Sequence, residues 1–238
     1  MKQKKNFSVY LLLFTGVFAA FVSSCEKSDD ENDNDSMFTD SRDDNVYQTV
    51  SLGDQVWMAE NLKYLPSVTS SGGLSNSSPF YYVYGYQGTD VNDAKATDNY
   101  NTYGVLYNWP AAINACPPGW RLPTDADWEE LTTYLGGANY CAGKLRTSGT
   151  AENGTGLWAA PNSEATNESG FSALPGGHVY IFRDEGSYVH LGKYGYWWSA
   201  TENNSDDVWY RRIDYNKTNV YNNLSPKRWG YSVRCIKN

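Results

Sequence analysis

Few residues in this chain are able to do chemistry. Past position 25 there are three cysteines, Cys116, Cys141 and Cys235, and the two histidines are His178 and His190. The histidines lie on different segments without metal-type spacing, so each reads as hydrogen-bonded scaffold rather than as a zinc ligand. Three cysteines cannot all pair within one chain. Joining Cys116 to Cys235 would close a loop of roughly 120 residues, worth about 4–5 kcal/mol in the chain-entropy model. Joining Cys116 to Cys141 is the open alternative. In the first case Cys141 is left over, as a small buried hydrophobe or a free thiol. Glu202, Asp206 and Asp207 flank Asn203-Asn204 and could gather oxygens around Ca²⁺, a hard cation that takes six to eight of them. The competing reading is a polar loop between two strands. Glu129-Glu130 reads as a solvated helix face rather than an acid/base pair, and no cofactor is expected.

Aromatic side chains offer a different chemistry. The chain holds 20 Tyr and 9 Trp, more rings than a core of this size readily takes. Trp197-Trp198 and Trp209-Tyr210 are adjacent pairs in extended-looking stretches, and strand alternation sends one ring of each pair outward. Outward rings can stack on sugars or anchor a protein partner. Trp198, Trp209 and Tyr210, with Asp206 and Asp207 in the loop between the two aromatic pairs, are therefore the candidate ligand-binding residues. The alternative is a sheet covered on both faces, with every ring buried.

The element that must position these groups runs from Cys116 to Gly137. A Pro117-Pro118-Gly119 turn leads into extended Trp120-Arg121-Leu122-Pro123, because a residue preceding proline is pushed out of the helical region. Thr124 is a helix N-cap, with Asp127 completing a near capping box. Trp128, Leu131 and Leu135 share one face, and Gly136-Gly137 stops the helix. Upstream, Val46–Val50 and Val56–Met58 flank Gly53-Asp54 as a hairpin. Further strands are expected at 80–84, 171–177, 180–182, 196–199, 208–213 and 229–236. Thr89–Thr102 reads as a polar surface excursion, and Pro110 can open a short helix. The pattern predicts a loop-rich α+β domain over 45–238, with short antiparallel sheets and two short helices.

The ends carry different signals. Residues 1–25 combine basic Lys2, Lys4 and Lys5 with an apolar run from Phe7 to Phe21, the layout of a signal peptide and short for a membrane span. Val22-Ser23-Ser24-Cys25 resembles a bacterial lipobox, which implies lipidation of Cys25 and membrane attachment through that lipid anchor. Residues 26–44 hold nine acidic and two basic side chains and are expected to form a disordered acidic tether. Within them, Lys27-Ser28-Asp29-Asp30-Glu31 resembles the acidic export signal of Bacteroidota lipoproteins displayed on the outer membrane, which implies exposure at the cell surface. The remaining domain is mildly acidic, which excludes nucleic acid as a partner.

Five blocks in order, VYQTVSLGDQVWMAENL (46–62), CPPGWRLPTDADWEEL (116–131), GFSALPGG (170–177), YWWSATE (196–202) and GYSVRCI (230–236), resemble the Fibrobacter succinogenes major paralogous domain. That family implies a C-type-lectin-like fold, surface or secreted placement and no defined biochemical activity. It also favours the Cys116–Cys235 pair and makes Trp120, Arg121, Leu122, Pro123, Trp128 and Leu131 scaffold. Ala160-Pro161-Asn162 resembles the sugar-binding loop of calcium-dependent lectins but lacks the preceding Glu. Formylglycine-generating enzymes share a stretch similar to Arg121–Trp128 and use a C-terminal cysteine pair on copper, whose soft chemistry needs thiolates. Here that region offers Cys235 alone. The expected function is thus a non-catalytic, surface-anchored binding or adhesion domain for a glycan or envelope-protein ligand. An enzyme of the formylglycine-generating type and an accessory subunit of a surface assembly are the alternatives.

Overall fold

Antiparallel pairing sets in with the first strand. In the computed structural model, which describes residues 37–182 and 185–238, β1 (Met37–Thr39) lies against β2 (Val46–Leu52). Gly53, at φ +64°, then turns β2 into β3 (Gln55–Met58), the expected hairpin. β1 corrects the expected tether over 26–44. Phe38 packs its ring 5.2 Å from that of Trp120, and Asp40 is fully buried against Arg42 at 2.7 Å. A carboxylate leaves water only with such a partner. The acidic composition concealed this anchor. The earlier part of that stretch, the signal segment and Cys25 lie outside the described residues.

Among the described residues, five short helices replace the expected two. α1 (Val91–Lys95) and α2 (Asp98–Tyr103) occupy the stretch read as a polar excursion. Asp90 and Thr97 cap their free N–H groups, and Ala94 and Tyr100 turn inward. After β4 (Tyr81–Tyr82) and β5 (Leu106–Tyr107), α3 (Trp109–Ala112) opens on Asn108 and Pro110. β6 (Trp120–Arg121) precedes α4 (Asp125–Tyr134), whose capping box joins Thr124 and Asp127 in both directions. α5 (Ala142–Leu145) follows.

Two sheets carry the α+β fold, and nearly all their pairs are antiparallel. The first has the order β1-β2-β3-β13-β6, with β13 (Ile236–Lys237) at the far end of the chain. The second has the order β11-β10-β9-β12-β5-β4. It comprises β9 (Tyr194–Glu202), β10 (Asp207–Asp214), β11 (Val220–Pro226) and β12 (Tyr231–Ser232), the last parallel to β9. β7 (His178–Phe182) and β8 (Glu185–Val189) form a separate hairpin. Phe171–Gly177 is not the expected strand: its one ladder contact is a bridge from Ala173 to Arg146. Among the described residues, no helix is long and apolar enough to cross a membrane.

Two large apolar cores and a small third one, of Tyr82, Leu106 and Val179, form among the described residues. One large core gathers Met58, Trp109, Trp198, Tyr210 and Tyr231, and the other Trp57, Trp128, Leu131, Phe171 and Trp197. Cys116 and Cys235 form a disulfide across 119 residues, fastening the turn before α4 to the approach to β13. Arg234, next to it in sequence, is fully buried and donates to the carbonyls of Met58, Phe171 and Ser172 and to Asn61. Desolvation pulls its pKa down, but a guanidinium this basic stays charged, so those acceptors replace its lost water. Ser172 itself takes φ +54°, outside the extended region a strand needs.

Candidate functional site

The candidate ligand residues separate into core and surface. Trp198 is fully buried and donates its Nε1–H to the Tyr107 carbonyl at 2.6 Å. Tyr210 is buried beside Tyr231, with ring centroids 4.8 Å apart. Both correct the expected outward placement: the two rings lie in the first core. The alternation argument fails at β9 because each face of the strand meets its own core, so Trp197 and Trp198 are both sealed.

Trp209 is the member of that set whose ring stays partly exposed. Alternation places it on the β10 face that also bears Arg211 and Ile213. Leu224, 42% exposed, stands directly opposite on β11. Next to the pair, Arg211 joins Asp125 at 2.5 Å and Asn222 at 2.6 Å. The Asp125 N–H donates to Thr201 Oγ1 at 2.9 Å. These bonds tie the first turn of α4 to β9, β10 and β11. They fix the floor beside Trp209, and the ring is left without that cover.

The acidic loop does not assemble a cation site. Glu202 binds Lys227 Nζ at 2.7 Å, and Lys227 in turn lies over the Trp109 ring. Asn204 Oδ1 accepts the backbone N–H groups of Asp206 and Asp207, an arrangement that makes a turn. Among the described residues, no group of three or more His, Cys, Asp or Glu could hold a metal. Glu202 closes β9, Asp207 opens β10 and Asp206 lies in the turn between them.

Other sequence signals prove structural as well. Asn162, in the lectin-like Ala160-Pro161-Asn162 stretch, points inward. Its Oδ1 accepts from Arg146 at 2.8 Å, and its Nδ2 donates to the carbonyls of Thr147 and Gly149. His178 is buried 4.3 Å from the Tyr196 ring and 5.2 Å from His190. Burial, then the nearby His190 and Arg212, hold its pKa down at about 3, so it is neutral. Cys141 is fully buried, and burial pushes its thiol up to about 11. A thiol so protected is a poor nucleophile. At Asp127 burial opposes ionisation, yet hydrogen bonds from Arg121 and Thr124 outweigh it and lower the pKa. That carboxylate therefore serves the capping box.

The family model for the Fibrobacter succinogenes major domain matches residues 50–237. The chain belongs to that family. No curated protein and no solved structure matches it. In this Fibrobacter major domain, Trp120, Leu122, Trp128 and Leu131 of the 116–131 block are buried, and its Cys116 is bonded to Cys235. Of the YWWSATE block, Trp197 and Trp198 are core, Thr201 accepts from the Asp125 N–H, and Glu202 pairs with Val208 beside Trp209. The sequence reading missed Leu224, Asn222, Arg211 and Asp125. The available signal was the strand VYNNLSP, whose alternation is masked by paired asparagines.

Proposed function

We propose that the chain is a non-catalytic binding or adhesion domain, held at the outer membrane by a lipid on Cys25 and exposed at the cell surface. Its ligand is a glycan or an envelope protein. A C-type-lectin-like scaffold is the finer reading of the fold, and the family resemblance supports it. The carrying observation is the Trp209–Leu224 pair: a partly exposed indole opposite an exposed leucine, on a floor braced by Arg211, Asp125 and Asn222. An aromatic–aliphatic pair of this kind gives large contact area at low entropic cost. The sulfur chemistry supports the non-catalytic part of the reading. Cys235, which a copper-thiolate oxidase would need free, is bonded to Cys116, and Cys141 is sealed.

The test is to screen the full-length protein on glycan arrays and against isolated envelope proteins. Trp209→Ala should abolish the binding found and leave the melting temperature within a degree or two, since the ring is not core. Undiminished binding in both Trp209→Ala and Leu224→Ser would overturn the reading.

A further inference from the structure

The outward side of α4 forms a groove with the turn between β2 and β3. It has a volume of about 470 Å³ and is lined by Leu52, Asp54, Glu129, Glu130 and Tyr134 among others. A second lobe of about 710 Å³ continues past Leu52 and Tyr134 toward Lys144 and Glu168. Tyr134 divides the two, with 60% of its surface exposed. Gly53 makes that placement possible. A Cβ there would stand 3.2 Å from the Tyr134 ring, so the bare turn lets the ring rest against it. The aromatic wall is therefore braced before any ligand arrives.

The lobes differ in charge. In the larger one Lys144 and Glu168 satisfy each other at 3.1 Å. In the smaller one no salt bridge to Asp54, Glu129 or Glu130 exists among the described residues. Arg121 is committed to Asp127 at 2.5 Å, and Lys237 shares an adjoining groove with Asp54 and Glu130 without a salt bridge to either. Three unneutralised carboxylates beside an exposed tyrosine ring favour a cation. They disfavour an anionic glycan outright, and a neutral sugar would leave their charge uncompensated.

We propose that this groove receives a lysine or arginine side chain presented by a partner protein. The cation would donate charge-assisted hydrogen bonds to Glu129, Glu130 and Asp54 and lie against the Tyr134 ring. This rests on the binding-domain reading above and gives its protein partner a chemistry: a basic segment.

The experiment titrates the full-length protein with a labelled tetralysine peptide at about 0.15 M ionic strength, where distant surface charge is largely screened. Glu129→Gln combined with Glu130→Gln should weaken binding roughly tenfold, and Tyr134→Ala roughly threefold, the scale of an exposed cation–π contact. Tyr134→Phe should bind as the parent does. Asp93→Asn with Asp98→Asn removes the same charge from exposed sites on α1 and α2, and should change nothing. Equal weakening by both charge pairs would overturn the proposal, as would no binding at millimolar peptide or displacement by a neutral oligosaccharide. Trp209→Ala separates the two claims. Peptide binding kept while Trp209 proves irrelevant to any ligand sinks the earlier reading alone, and the reverse sinks this one alone.

Discussion

Trp197-Trp198 on β9 and Trp209-Tyr210 on β10 are alike in sequence, adjacent aromatic pairs on neighbouring strands. β9 lies inside its sheet with a core against each face, and both its indoles are fully buried. β10 shares those cores only in part. Tyr210 joins the first and Ile213 the second, whereas Trp209, where the β9–β10 register shifts, belongs to neither. What exposes a ring here is the lack of a core against its face, and strand alternation comes second. An outward position on a covered strand is a second interior.

That contrast can be broken most directly at Trp197. Trp197→Ala empties a site between Asn61, which accepts its Nε1–H at 2.9 Å, and Phe171, and should cost about 3–5 kcal/mol in urea denaturation. A loss below about 1 kcal/mol would mean that β9 has no true second core.

Acid titration gives the next largest effect, through His178 under Tyr196. Its folded pKa lies at about 3, below the ordinary 6.5, so the unfolded chain takes up the proton first. Stability from this group is complete above pH 6.5 and is lost as pH falls toward 3, at up to about 1.4 kcal/mol per pH unit. His178→Phe should flatten that slope in thermal melts between pH 7 and pH 5, on the order of 2 kcal/mol in all. An unchanged slope would place the acid sensitivity elsewhere.

The smallest effect separates burial from bonding. Trp198→Phe keeps a ring in the first core but deletes the hydrogen bond to the Tyr107 carbonyl, at about 1–2 kcal/mol. The same substitution at Trp209 should cost almost nothing by the same denaturation measurement.

Much of the scaffold was legible from local chemistry. The capping box at Thr124 and Asp127, the glycine turn at Gly53 and the apolar face of α4 are short-range signals, and all three stand as read. Elsewhere, partners distant in sequence decide the structure. Phe171–Gly177 looks like a strand, but the buried Arg234 claims its carbonyls from 62 and 63 residues away. β11 looks like a loop because its asparagines hide an edge strand paired to β10 along its length. The candidate site was legible only at Trp209. Trp198 and Tyr210 depended on what lies over the sheet, which no spacing encodes, and Glu202 was claimed by Lys227 from 25 residues away.

β1 has a mechanical consequence. Its three register pairs with β2 and the Asp40–Arg42 clamp lie outside the segment closed by Cys116 and Cys235. A pull arriving through the residues before Met37 is borne first by those few bonds. The Phe38–Trp120 ring contact and the Arg42 bond to the Ala115 carbonyl, next to Cys116, then pass that load on to the sulfur-locked body.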